Sequence, residues 1–204
     1  MIENLHGIHE TVNFKSNTNI RLYDNIECEE YPMHWHTPVE IVMPLENHYE
    51  INCSGHIFSL RVGDILLICP GVLHTLYASD GRRIIFQAEV SSNIQFRELK
   101  SVLSIISPAI LITPENSSGI YDKLYRNIME IAAEYCNDVL LAEPAIYSKL
   151  IEILVLIGRN HTENPERFDV GITKQKEYID KFYEELGIEK DEFKSDYYRI
   201  LMSL

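Results

Sequence analysis

Apolar and polar residues alternate over short stretches between residues 18 and 90, and turn residues separate these stretches. Because successive side chains of a strand point to opposite faces, this spacing predicts a sandwich or barrel of short strands. Residues 51–58 predict two strands around a Ser-Gly turn, and the apolar run 65–69 predicts a buried strand. Residues 84–90 predict the strand that closes this half of the chain.

After residue 92 the hydrophobic period becomes helical. Residues 96–103 predict a short helix, and residues 110–112 predict one added strand. Apolar residues then recur at a helical spacing over residues 119–137, and a second amphipathic helix is predicted over residues 143–158. The pattern therefore indicates a mainly β fold with C-terminal helices that include a helical hairpin.

The polar stretch 159–171 predicts a loop, and the charged segments beyond it predict helices. The chain thus divides into three parts: residues 1–92 as a barrel with an N-terminal arm, residues 93–171 as a helical appendage, and residues 172–204 as a helical tail. Four cysteines without paired spacing are expected to be reduced and not to form a zinc cluster.

Composition and charge narrow the function classes. No run approaches the ~20 apolar residues of a membrane span, and the first residues lack the features of a signal peptide. We therefore expect a cytoplasmic protein without a membrane partner. The net charge is −13 and the basic residues are scattered, so this chain alone is not expected to bind nucleic acid.

Three imidazoles and one carboxylate form the candidate site. His34, His36 and Glu40 have the same parity, so in a strand they share one face while Trp35 takes the other. His74 comes from a second strand. Such a set suits a divalent transition metal such as Zn, Ni, Mn, Fe or Cu. Alternatively, the same groups line a polar barrel interior and form hydrogen bonds with an organic effector.

The spacing of these residues resembles the two motifs of the cupin superfamily. The matching residues are His34, His36 and Glu40 in the first motif, and Gly63, Gly71 and His74 in the second. Asn47 stands where the first motif has glycine, and asparagine tolerates positive φ better than most residues. Cys69 stands where the second motif has proline. The resemblance implies a cupin double-stranded β-helix barrel of the jelly-roll type.

A barrel followed by a short helix, a strand and a helical hairpin resembles the sensor region of AraC-type transcription regulators. The resemblance implies that the barrel binds an effector, that the following helices form a homodimer, and that a separate domain with two helix-turn-helix units binds DNA. About 33 residues follow Gly171, and this segment is acidic and lacks the pattern of two helix-turn-helix units. The predicted function is therefore ligand sensing and dimerisation without a complete DNA-binding domain.

The expected effector is a small polar molecule, a sugar or an organic acid, held by His34, His36, Glu40 and His74. This function involves no catalysis and requires no cofactor. One rival is a small metal-dependent cupin enzyme, an isomerase or dioxygenase, in which the metal polarises a substrate oxygen or activates O₂. The helical hairpin disfavours this rival. The other is a stand-alone cupin binding protein.

The second predicted helix is apolar almost all round. Residues 151 and 153–157 are apolar in near-continuous sequence, which implies burial on more than one side of the helix. A two-fold contact between the same helices of two copies would provide that burial. The predicted residues of this dimer interface are Leu150, Leu154 and Ile157.

Overall fold

The computed structural model describes residues 4–90, 97–137 and 139–163, and within them eleven strands and three helices. The strands are β1 Leu5–His6, β2 His9–Glu10, β3 Ile20–Asn25, β4 Tyr31–His34, β5 Val39–Pro44, β6 Tyr49–Cys53, β7 His56–Leu60, β8 Ile65–Ile68, β9 His74–Leu76, β10 Arg83–Ala88 and β11 Ala109–Ile112. The helices are α1 Arg97–Ile106, α2 Tyr121–Asn137 and α3 Ala142–Glu163.

Two antiparallel sheets form the barrel. One sheet has the strand order β11-β8-β5-β10-β3, and the other has the order β4-β9-β6-β7. Consecutive strands alternate between the two sheets over much of the chain, which is the jelly-roll arrangement predicted from the cupin motifs. The predicted fold class is therefore confirmed as a jelly-roll β-barrel with C-terminal helices, in which α2 and α3 pack as a hairpin.

The turns adopt the backbone geometry that their residues favour. Ser54 and Gly55 form the turn between β6 and β7 with φ angles of 50° and 85°. Asn47 has a φ of 57°, so the turn that glycine makes in the cupin motif is kept by asparagine. Gly63 has a φ of 85°, and its carbonyl accepts a hydrogen bond from the Tyr121 hydroxyl at 2.8 Å. The second motif is thereby attached to the start of α2.

Strand β11 belongs to the barrel although it lies within the predicted helical appendage. It pairs with β8 at the edge of the five-stranded sheet, with Ala109 opposite Ile68. The five-stranded sheet therefore extends past residue 92, where the predicted barrel ends. Residues 164–204, which include most of the predicted loop 159–171 and the whole predicted tail, lie outside the described residues.

Helix α3 does not end at Gly158 as predicted but continues to Glu163. The predicted loop is therefore wrong for residues 159–163. A glycine inside a helix costs only about 1 kcal/mol relative to alanine, and neighbouring contacts can compensate for it. A Cβ atom at position 158 would lie 2.7 Å from Val102 Cγ2 of α1. Gly158 marks a close approach of two helices, and not a helix end.

Replacement of Gly158 with alanine should lower the free energy of unfolding by about 1–3 kcal/mol, because the new methyl group overlaps the Val102 side chain. Gly119 offers a matched control, since a Cβ there would meet no atom within 4 Å. Urea denaturation of both variants would measure the difference. Equal stability of the two variants would contradict the close packing of α1 against α3.

The helices form a layer that is closed within one chain. Leu150 and Leu154 are fully buried and Ile157 is 1% exposed, all in the same hydrophobic core as the barrel strands. Their predicted assignment to a dimer interface is therefore wrong, because α1, α2 and the sheet already cover them. None of the helices in the described part of the chain has both the length and the apolar character needed to cross a membrane.

Candidate ligand and metal site

The four predicted site residues come together inside the barrel. His34 ends β4 and His74 begins β9, and the two residues are direct partners in the antiparallel pair of these strands. Glu40 lies in β5, and His36 lies in the segment that leads to it. All four are at most 2% exposed. The predicted single strand face is wrong, because the chain bends at Thr37 and Pro38 and places His34 in the four-stranded sheet and Glu40 in the five-stranded sheet. The two sheets bring these residues together, and the pairing of β4 with β9 adds His74.

All three imidazoles are oriented by the same kind of backbone contact. Their Nδ1 atoms lie against carbonyl oxygens of Pro32 for His34 (2.7 Å), Pro38 for His36 (3.1 Å) and Val72 for His74 (2.8 Å). A carbonyl can only accept, so each Nδ1 carries a proton. In the neutral ring, Nε2 then keeps a free lone pair, which is the tautomer that binds a metal through Nε2.

The imidazoles and Glu40 face one another at short distances. Each histidine offers one nitrogen, and these three atoms lie within 4.8 Å of one another. The Glu40 carboxylate is 3.1 Å from His36 Nε2 through Oε2 and 3.8 Å from His74 Nε2 through Oε1. Gln87 of β10 donates a hydrogen bond to Oε2 at 2.9 Å. Among the described residues, Glu40 Oε1 and His74 Nε2 are buried without a hydrogen-bond partner.

Burial and pairing assign different charges to the three histidines. Burial lowers the pKa of His34 to about 3 and the pKa of His74 well below its ordinary value, and neighbouring imidazoles add to both effects. Burial also acts to lower the pKa of His36, but its hydrogen bond to Glu40 and the charges of Glu40 and Glu10 outweigh that effect and raise it. The same pairing lowers the pKa of Glu40 despite burial. The cluster therefore contains one ion pair and two neutral imidazoles.

The N-terminal arm contributes a fifth group that the sequence did not indicate. Glu10 of β2 is 8% exposed, and its Oε2 lies 3.6 Å from His34 Nε2. Burial raises the pKa of this carboxyl. Glu10 precedes the first motif by many residues and lies in a two-residue strand, so neither spacing nor periodicity points to it. The arm is thus part of the site.

Trp35 joins the arm to the barrel. Its backbone N–H donates to the Ile8 carbonyl, and its carbonyl accepts from the N–H of Glu10, both at 2.9 Å. Its ring lies 4.3 Å from the His9 ring, measured between centroids. Trp35 is 3% exposed and faces away from the imidazoles of its neighbours, as parity predicts.

A narrow cavity opens beside the cluster. It is lined by Glu10, Tyr23, Tyr31, His34, Glu40, Leu76, Ile85 and Gln87. Its volume is about 340 Å³ when the space open to solvent is included. Of the four predicted site residues, His34 and Glu40 line this cavity. Tyr23, Tyr31 and Gln87 are lining residues that the motifs did not identify.

The donor set fits a divalent transition metal. Three buried imidazoles, whose Nδ1 atoms face backbone carbonyls, and an unpartnered carboxylate oxygen are ligands that such ions prefer. His34, His36, His74 and Glu40 would hold the ion. When bound, it would supply a Lewis acid at the edge of the cavity. His36 must release its Nε2 proton before it can bind a metal. Protons therefore compete with the metal ion for this nitrogen.

Comparisons with known proteins leave the family of the chain open. No protein-family model matches the sequence, and no curated protein matches it either. Three similar solved structures are a conserved protein of unknown function from Streptococcus pyogenes, a cupin 2 conserved barrel domain protein from Rhodopseudomonas palustris, and apo ToxT K231A from Vibrio cholerae.

The similarity to these structures is distant. The S. pyogenes protein is 18% identical with a TM-score of 0.31, and the match covers 34% of this chain and 62% of that one. The R. palustris protein is 19% identical with a TM-score of 0.29, covering 39% and 58%. ToxT is 8% identical with a TM-score of 0.45, covering 91% and 76%. The chain thus spans about three fifths of the first two proteins, and TM-scores below 0.5 assign no function.

Proposed function

We propose that the chain is a ligand-sensing domain of the AraC type, which binds a small polar ligand in its cupin-like barrel and catalyses no reaction. The observation that carries this proposal is the buried convergence of His34, His36, Glu40 and His74 beside a cavity that the N-terminal arm helps to line. Ligand binding at this place necessarily affects the environment of the arm. In this proposal a separate domain binds DNA, as the resemblance to AraC-type regulators implies.

The chemistry of the cluster limits the ligand. Its inward-facing atoms are mainly acceptors: carboxylate oxygens of Glu40 and Glu10 and the Nε2 atoms of neutral His34 and His74. Such a site favours a cation or a ligand rich in hydrogen-bond donors, such as a sugar. An organic acid would bring a further negative charge and is favoured only when a metal ion is present to receive it.

The lining of the cavity links a ligand to the arm. Glu10 lines the cavity from the arm and Tyr31 lines it from β4, so a ligand in the cavity would lie beside both segments. A sensor that binds its ligand in this way would couple occupancy to the position of the arm.

The second candidate is a metal-dependent cupin enzyme. It is favoured by one observation, the three buried imidazoles that each offer a nitrogen within 4.8 Å of the other two. The narrow cavity weighs against it, because a substrate needs room beside the metal. Consumption of O₂ or isomerisation of a substrate by the metal-loaded protein would favour the enzyme over the sensor.

The proposal includes a homodimer. Since Leu150, Leu154 and Ile157 are enclosed within one chain, a contact between helices of two copies must use exposed residues. Tyr125 and Met129, which follow one another by one turn on α2, are 36% and 37% exposed. They are the residues through which such a contact would form.

Binding to the cluster is directly testable. The double replacement of His36 and His74 with alanine should weaken binding at least about tenfold, because it removes two of the converging nitrogens. Calorimetry with Zn²⁺, and thermal-shift measurements with a set of sugars and organic acids in the presence and absence of Zn²⁺, would measure this. His48→Ala removes an exposed histidine outside the barrel and should change nothing. Ligand affinity that survives the double replacement would contradict the proposed site.

A further inference from the structure

One oxygen of the Glu10 carboxylate, Oε2, lies in the site without a hydrogen-bond partner among the described residues. This oxygen is buried and is 3.6 Å from His34 Nε2, which is beyond hydrogen-bond distance. A buried polar atom of this kind costs about 1–3 kcal/mol when it remains unpaired. His34 Nε2 cannot relieve it, because the neutral ring carries its proton on Nδ1. The arrangement places two acceptors side by side.

A second carboxylate makes the arrangement less favourable. Glu40 lies close enough to Glu10 for the two charges to repel each other, and Gln87 contacts both groups. Glu40 Oε2 is paired with His36, so the described acceptors of the site that remain without a hydrogen-bond partner are Glu10 Oε2, Glu40 Oε1 and His74 Nε2, and a positive charge placed among them would satisfy them. A divalent cation is such a charge, and its preferred ligands are imidazole nitrogen and carboxylate oxygen.

The position of Glu10 is fixed by the barrel strand that carries the histidines. Its backbone N–H is bound to the carbonyl of Trp35, the residue between His34 and His36. The preceding residue, His9, packs its ring against the Trp35 ring. Glu10 therefore enters the site only while the arm lies along this segment, and it leaves the site when the arm leaves.

We propose that Glu10 is a further metal-binding group, delivered by the N-terminal arm, so that binding of a divalent transition metal and docking of the arm stabilise each other. This inference rests on the proposal that the histidine cluster binds a metal. Because coupling between two equilibria is reciprocal, the factor by which the docked arm strengthens metal binding equals the factor by which the metal strengthens docking. Metal availability would thus control the arm.

The two sides of this coupling can be measured separately in the full chain. Calorimetry with Zn²⁺ gives the metal affinity, and amide hydrogen exchange in residues 4–12 gives the docking equilibrium. Trp35 supplies a third measurement, because it is the single tryptophan and packs against the arm. Its quenching by acrylamide should decrease when the arm is docked. The variant is Glu10→Gln, and Glu50→Gln, which changes an exposed carboxylate of β6, is the matched control.

In the unmodified protein and in the Glu50→Gln control, Zn²⁺ should slow exchange in the arm by about tenfold or more and reduce quenching of Trp35. In Glu10→Gln, Zn²⁺ affinity should fall by a similar factor, and the effects of Zn²⁺ on exchange and quenching should disappear. Full Zn²⁺ affinity in Glu10→Gln, or equal slowing of arm exchange in both proteins, would overturn the role of Glu10. Absence of Zn²⁺, Ni²⁺ and Mn²⁺ binding in the unmodified protein would instead overturn the metal site itself, and this inference with it.

Discussion

Replacing Leu154 with glutamate should abolish cooperative folding at 25 °C, and not merely separate two copies of the chain. Leu154 is fully buried in the core that α3 shares with α1, α2 and the barrel. Truncation of such a leucine to alanine costs about 2–5 kcal/mol. Glutamate adds the cost of burying an unpaired carboxylate, so the total approaches the whole stability of a typical domain. Circular dichroism during thermal unfolding would measure the loss.

The same helix offers a control. Ser148 is exposed on α3, and its replacement with glutamate should leave the unfolding temperature nearly unchanged. Sedimentation of both variants separates folding from association. A Leu154→Glu protein that unfolds at the normal temperature but sediments as a smaller species would contradict the burial within one chain. It would restore the dimer interface inferred from the sequence.

His34 and His74 together should cost the metal-free protein about 2 kcal/mol of unfolding free energy as the pH falls from about 6.5 to about 5.5. The depressed pKa values of His34 and His74 keep both rings neutral in the folded protein over this range. In the unfolded chain both rings take up protons below about pH 6.5. The unfolded state then binds more protons, so stability falls with pH, by about 1 kcal/mol for each histidine.

His36 acts in the opposite direction. Because the pKa of His36 is raised in the folded protein, protonation of His36 stabilises the fold. This stabilisation is fully present below about pH 6.5 and is lost as the pH rises through the pKa of His36 in the folded protein. The pKa of Glu10 is also raised, so its protonation favours the folded state at the acid end of the range. This effect opposes the loss of unfolding free energy that His34 and His74 cause. The unfolding free energy should therefore be greatest near pH ~7.

Urea denaturation in EDTA at several pH values would test this dependence. The His34→Gln variant should show about half the loss between the two pH values, because one of the two buried neutral rings is removed. His48→Gln, at an exposed position, should follow the unmodified protein. Stability that stays constant or increases on acidification would show that His34 and His74 are not held neutral.

Most of the barrel and the centre of the site were predictable because strands impose a period of two. The two motifs were enough to group His34, His36, Glu40 and His74 in one site, although the bend at residues 37–38 places His34 and Glu40 in different sheets, where a shared parity predicted one strand face. The positive φ of Asn47 shows that a change of residue need not change the turn. These predictions depend on local geometry, which the sequence expresses directly.

The remaining features depend on contacts between distant segments. The apolar run of α3 correctly indicated burial on several sides, but hydrophobicity does not specify what covers a helix. The barrel, α1 and α2 cover Leu154, where a second copy was expected. Similarly, Gly158 of α3 lies at a close contact with Val102 of α1, which the sequence around the glycine does not reveal. Glu10 reaches the site through a backbone hydrogen bond to Trp35. The strand that carries Glu10 has only two residues, which is too short to show a periodic pattern in the sequence.

Strand β5 carries Glu40 through a part of the molecule that is closed to solvent. All six of its residues are buried, and successive side chains point to opposite faces of the sheet. Ile41 directly follows Glu40, so its side chain belongs to the opposite face. Because β5 has no exposed side chain that could absorb a displacement, any shift of Glu40 must be matched by repacking on the other face of the sheet. The strand therefore transmits a displacement from one face of the sheet to the other.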